Sequence, residues 1–185
     1  MNTITKIRMA IGNMIFMRRM RLPQKRRQVV SFDAARKIGM LYDATLESDY
    51  ESVKNYVKLI RAEHKEVIAL GYVDGKDLSR NQFAQLGLDF FTRKDLRWNM
   101  IPNSLEVKNF INEPFDILIN LNDGNCFPLS YISAMSKARF RIGRYSKKNL
   151  HYFDFLIEAG NSTSLPQFIK EADRYLRIIT SKNES

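Results

Sequence analysis

The sequence predicts an α/β fold: a single Rossmann-like three-layer domain with a mainly parallel sheet, preceded by a basic amphipathic N-terminal helix. Three observations predict it. Apolar runs of strand length alternate with segments of helical periodicity from about residue 37 to residue 179. The run Phe115-Asp-Ile-Leu-Ile-Asn-Leu121 is apolar almost throughout, as a strand covered on both faces must be. Strand ends carry turn chemistry such as Asp74-Gly75, or lead into a helix start such as Pro128. This alternation puts helices on both faces of one sheet.

Each element has its own signal. Ile4, Ile7, Ile11, Met14 and Ile15 recur at helical spacing and give the first helix a greasy face, which Pro23 ends. Gln24-Lys-Arg-Arg-Gln28 reads as a solvated basic linker, and Val29-Val-Ser-Phe32 leads into the domain. Lys37 to Tyr42 is the first strand. Ser48 and Glu51 have the spacing of a capping box, so a helix runs over about 49–64 and buries Val53, Tyr56, Val57 and Ile60. Val67 to Val73 is the second strand and Leu88 to Phe91 a short third. Ser104 to Asn112 is helical, Phe115 to Leu121 is the fourth strand, and Pro128 opens a helix to Lys137. Phe140 to Ile142 and Tyr152 to Ile157 are the last strands, and Leu165 to Ile179 is a closing helix. The expected organisation is a basic arm and linker over 1–34, an α/β domain over 35–180 and a frayed tail over 181–185.

Charge is concentrated at one end. Residues 1–37 hold ten Lys/Arg against Asp33 alone, whereas the remaining 148 hold 20 Lys/Arg and 19 Asp/Glu. The basic character belongs to the arm, and the domain is nearly neutral. Lys6 and Arg8 interrupt any secretory apolar core, although an organellar presequence would share the arm's acid-poor, Arg-bearing character. No window approaches the roughly 18 apolar residues of a spanning helix. A single cysteine, Cys126, excludes an internal disulfide framework and fits a reducing, cytoplasmic setting.

Ligands of such sheets bind at the carboxyl ends of the strands, so the chemistry is sought there. The loop after the first strand has neither GxGxxG nor a phosphate-binding GxxxxGK[ST] pattern. Asp43 has the chemistry of a base or a hydroxyl anchor, but an aspartate there more readily accepts hydrogen bonds from its own turn. Asn122 and Asp123, with Asn120 and Asn125, form a second possible ligand loop, whose composition is that of a turn. Cys126 has no histidine on a recognisable motif to activate it, and His64 and His151 read as structural or surface residues. Phe90, Phe91 and Trp98 would suit base stacking, yet core packing with one amphipathic anchor fits them better. No catalytic residue, metal ligand or cofactor site is expected.

The blocks Lys37-IGMLYDA, EVIALGYVDGKDL, LGLDFFTRKDLRW, NEPFDILINL and CFPLSYISAMSKARFRIGRYS together resemble an uncharacterised bacterial domain family of Bacteroidota type, over about residues 37–179. That resemblance implies no site residues. Over 115–143 alone, strand, Asn-Asp loop, helix and ARFRIG are similar to the N-terminal half of ADP-heptose-type glycosyltransferases, without their glycine-rich acceptor loop or their second domain.

The reading favoured by the charge is a non-enzymatic protein whose arm docks on RNA, on the ribosome or another large ribonucleoprotein. Arg18, Arg19, Arg21, Lys25, Arg26 and Arg27 would neutralise phosphates. The alternatives are an anionic membrane surface entered by the isoleucine face, a protein partner or the chain's own domain covering that face, and a small glycosyltransferase-like ligand domain using Asp43 and the 120–126 loop.

Overall fold

The computed structural model describes residues 3–20, 28–78, 87–122, 125–147, 149–160 and 163–179. Within them the strands β1 (Lys37–Asp43), β2 (Glu66–Val73), β3 (Leu88–Thr92), β4 (Ile117–Asn120), β5 (Phe140–Arg144) and β6 (Phe155–Ile157) form one sheet in the order β3-β2-β1-β4-β5-β6. Every neighbouring pair is parallel. The order reverses between β1 and β4, the doubly wound arrangement in which ligands bind near the reversal. The helices are α1 (Thr3–Met20), α2 (Glu47–Ala62), α3 (Leu105–Asn112), α4 (Phe127–Met135) and α5 (Leu165–Ile178).

Alternation along the central strands builds the layers. Ile38, Met40 and Tyr42 face α2 and α5, where Val53, Tyr56, Val57, Ile60, Phe168 and Leu176 close the larger core. Leu41, Leu70 and Leu118 face α3 and α4, against Val107, Phe110, Leu129 and Ile132. The larger core reaches back to Val30 and Phe32, both buried, and Gln28 is tied to the domain by its amide, which donates to the Arg139 carbonyl at 3.1 Å.

Two local expectations need correction. The capping box at Ser48 does not form: α2 already begins at Glu47 with Leu46 at the N-cap, and Ser48 accepts from the Ser52 hydroxyl inside the helix. The Asp43 carboxylate accepts from the Thr45 amide at 2.9 Å and turns the chain early, so the acidic first turn comes from Glu47 and Asp49. The sixth strand begins at Phe155 rather than Tyr152, because Tyr152 and Phe153 belong to a turn built on Asn149. His64 follows α2 at φ +59°, a left-handed closing residue, with its amide donating to Arg61 O.

The first helix is also less one-sided than its isoleucine spacing suggests. Gly12 and Phe16 are its buried residues, with Met9, Ile15 and Met20 packed beside them. Ile4, Ile7, Met14 and Met17 all point to solvent, more than half exposed. Apolar side chains therefore occupy two sides of α1, and only one is covered. Among the described residues no helix is long and apolar enough to cross a membrane.

At the opposite, amino-terminal end of the sheet, Asp116 holds three segments together. It accepts from the amides of Arg36 (2.9 Å) and Lys37 (3.1 Å) and from the Arg139 guanidinium (3.1 Å). Burial pushes its pKa up, but those three donors outweigh burial and leave it below the ordinary carboxylate value. Its stabilisation is therefore present above the unfolded pKa of about 3.9 and is lost as pH falls through the lower folded value. Asp116→Asn is expected to cost about 1–2 kcal/mol at neutral pH and to shrink in effect as the pH falls below about 3.9. Urea melts of both proteins from pH 7 to pH 3 check this; a cost independent of pH would mean that the charge contributes nothing.

Candidate functional site

The exits of β1 and β4 flank the reversal of strand order. Asp43 ends β1 and is occupied by its own turn, through the Thr45 amide. At the end of β4 the buried Asn120 organises the loop. Its Nδ2 donates to Ser133 Oγ at 2.8 Å, and its Oδ1 accepts from the Asn122 amide at 2.9 Å. Asn122 in turn accepts from the Cys126 amide at 3.4 Å, just before α4. The Asn120 and Asn122 side chains thus shape the backbone beside them. Asp123 lies outside the described residues.

The exits of β2 and β3 carry more charge. Asp74 follows β2 and is gripped by Arg93, whose Nε and Nη2 donate to its two oxygens at 2.6 and 2.8 Å. The Tyr72 hydroxyl adds a third donor at 3.0 Å. Arg93 is the main reason the Asp74 carboxyl sits below the usual carboxylate range, while burial pushes the Tyr72 phenol up. These groups open onto a cleft of about 580 Å³ that Thr5, Arg8 and Met9 of α1 border from the other side, with Cys126 and Phe127 at its end. The volume suits a small ligand. The Arg93–Asp74 pair leaves both charges satisfied by each other, and no histidine lines the cleft to activate Cys126.

The first helix runs along α4 and the loop between α3 and β3. Arg8 donates through Nε to the Trp98 carbonyl, and Gly12 lies so close to the Asn99 carbonyl that a β-carbon there would overlap it. Phe16 packs among Phe127, Tyr131 and Tyr152, with ring centroids at 6.1, 5.9 and 5.8 Å. This seat fixes where the basic end of the helix goes. Arg18 and Arg19 occupy the last turn, where cations also suit the helix dipole. Arg19 donates to the Tyr131 hydroxyl and lies over that ring at 5.8 Å, while Arg18 points to solvent.

Arg19 also borders a second cleft, of about 340 Å³, between α3, the 97–103 loop and the ends of α1 and α4. Arg97, Lys108 and Lys137 line it with Arg19, and among the described residues no carboxylate does. Arg97 donates to the neutral Asn103 Oδ1 at 2.8 Å. None of the four is in an ion pair among the described residues. Ile101, Val107 and Tyr131 supply apolar wall. Such a surface can take an anion without first breaking a salt bridge.

Of the residues expected to meet phosphate, Arg19 lines this cleft and Arg18 is exposed on the same last turn; Arg21, Lys25, Arg26 and Arg27 lie outside the described residues. Sequence reading did not single out Arg97, Lys108 and Lys137, because they are scattered along the chain and only the fold gathers them. It also passed over Gly12, for which a signal existed: a lone glycine inside a helical pattern usually marks a close approach. The three aromatic candidates separate. Phe90 and Phe91 are core residues, whereas Trp98 is 61% exposed.

The fold and these clefts define a doubly wound α/β domain with its first helix docked along the sheet's carboxyl side. The chain belongs to the family of unknown function DUF6913, which matches residues 11–179 and so takes in the second half of α1 as well as the whole sheet. No curated protein matches it.

Proposed function

We propose that the protein is a non-enzymatic RNA-docking protein that binds through the basic end of α1 and the run that follows it, on the ribosome or another large ribonucleoprotein. The observation that carries this reading is the cleft beside Arg19, where Arg97, Lys108 and Lys137, in no ion pair among the described residues, add three cations from the domain to those of the arm. Clustered cations without local carboxylates release counterions when they meet a polyanion, and arginine forks match phosphate geometry. The domain is otherwise nearly neutral in net charge, so the arm and this cleft supply a concentrated excess of cations.

The membrane-surface reading has one observation in its favour. Ile4, Ile7 and Met14 are 64%, 56% and 66% exposed on the side of α1 turned away from the domain, an outward apolar stripe that an interfacial helix would use. The glycosyltransferase-like reading would rest on Asp43 and the 120–126 loop, whose described groups serve their own turns.

Salt dependence separates the first two. If Arg18, Arg19, Arg21, Lys25, Arg26 and Arg27 each neutralise one phosphate, log K for RNA should fall against log salt with a slope of roughly −4 to −5. Reversing the charge of Arg18, Arg19 and Arg21 should weaken RNA binding strongly, while Ile7→Ser with Ile11→Ser changes it little. On anionic vesicles the serine pair would be as damaging as the reversals, because apolar insertion supplies much of that affinity. Vesicle binding lost on the serine changes, together with no RNA binding by the intact protein, would overturn the proposal.

A further inference from the structure

We infer that the RNA it takes is single-stranded, with one base stacked on Trp98 and the adjoining phosphates in the cleft lined by Arg19, Arg97, Lys108 and Lys137. This inference rests on the RNA reading above and names the form of RNA and the residues of the domain that select it.

Trp98 is held outward by a rigid support. Its loop is closed by the bridge between Leu96 and Pro102, by the Arg97 amide on Ile101 O (2.9 Å) and by the Met100 amide on Arg97 O (2.8 Å). Met100 takes φ +66°, the left-handed turn that reverses the chain, and the neighbouring Asn99 is buried. From beneath, α1 pins the same loop: Arg8 holds the Trp98 carbonyl and Gly12 abuts the Asn99 carbonyl. With 61% of its surface in water, the indole is fixed at its backbone yet largely uncovered. A lone exposed tryptophan means little by itself. Here the preceding residue in the chain is Arg97, which lines a cleft carrying cations and, among the described residues, no carboxylate.

The pairing of an aromatic platform with a cationic groove is the physical basis of single-strand binding, because stacking needs an open base face and the groove follows the backbone. In an A-form duplex the base faces are stacked on one another, and only the backbone and shallow groove are offered. A cleft of about 340 Å³ is on the scale of a small-molecule site, a volume far too small to take in a duplex. A duplex would meet the arm's charges but neither the indole nor the cleft's apolar wall.

The chain holds a single tryptophan, so its emission reports Trp98 alone. The full chain is titrated at low salt with an unstacked oligouridylate of about a dozen nucleotides, and with a blunt duplex RNA of similar length, by anisotropy and by tryptophan emission. The single strand is expected to quench emission. Trp98→Ala should weaken single-strand binding roughly five- to 100-fold, Trp98→Phe should keep most of it, and duplex binding should be unchanged by either. RNA binding with unchanged emission, or equal losses for strand and duplex, overturns the inference and leaves the RNA reading standing. Absence of binding to both RNAs overturns the RNA reading itself. The quenching measurement uses the unmodified protein, so it decides the matter even if Trp98→Ala does not fold.

Discussion

Ile117→Asp is expected to leave no cooperatively folded protein. Ile117 is fully buried in β4 and pairs with Ile38 of β1 on one side and Phe140 of β5 on the other, in the middle of the sheet. A carboxylate there would lose its hydration with no donor to replace it, and the aliphatic contacts of the larger core would be lost as well. The sum exceeds about 4–5 kcal/mol, comparable with the whole stability of a domain of this size. Circular dichroism and urea unfolding check it, with Ile117→Val, expected to cost only about 0.5–1.5 kcal/mol, as the control. A loss of under about 1 kcal/mol for the aspartate would mean that the strand is not central.

Gly12→Ala is the sharper test of how α1 is seated, because two effects oppose each other. Inside a helix, alanine is favoured over glycine by about 1 kcal/mol, so propensity alone predicts a gain. Against that, the new β-carbon would overlap the Asn99 carbonyl and press on the Phe127 ring at 3.3 Å. The obstacle is backbone, held in a closed loop, and cannot swing aside as a side-chain tip can. We expect the contact to win: a net loss of about 1–3 kcal/mol, with α1 loosened and Phe16 pulled from its aromatic seat. Hydrogen exchange over α1 and the thermal midpoint should both register it. Gly75→Ala, whose β-carbon would meet nothing nearer than 3.6 Å, should stay within about 0.5 kcal/mol. A more stable Gly12→Ala protein would show that α1 does not rest on the 96–102 loop.

The sheet was legible because its signals are local. The apolar run at 117–120, the Ser104 cap and Pro128 at the start of α4 each specify their own element, and strand–helix alternation implies parallel pairing. What failed was also local, but conditional on neighbours. Ser48 and Glu51 have the spacing of a cap, yet the Asp43 turn delivers the chain into the helix earlier. Tyr152 and Phe153 have strand composition, but Asn149 captures Tyr152 through its hydroxyl at 2.5 Å. The candidate site was half legible. The charge of the arm is a count along the chain, whereas the meeting of Arg19 with Arg97, Lys108 and Lys137 depends on which side of α1 docks. Isoleucine spacing alone pointed to the wrong side, since Met9, Gly12 and Phe16 look unremarkable until their partners at 99, 127 and 131 are in place.

The seat of α1 has a consequence for the order of events during synthesis. Phe16 is held by Phe127, Tyr131 and Tyr152, so α1 cannot complete its seat until nearly the whole domain has emerged. At about 5–20 residues per second, the stretch from Phe16 to Tyr152 takes roughly 7 to 27 s to make. Throughout that interval both apolar sides of α1 and its basic end are uncovered beside the translating ribosome. The nascent chain therefore carries α1 open, its apolar sides and its cations together, before its own domain competes for the helix.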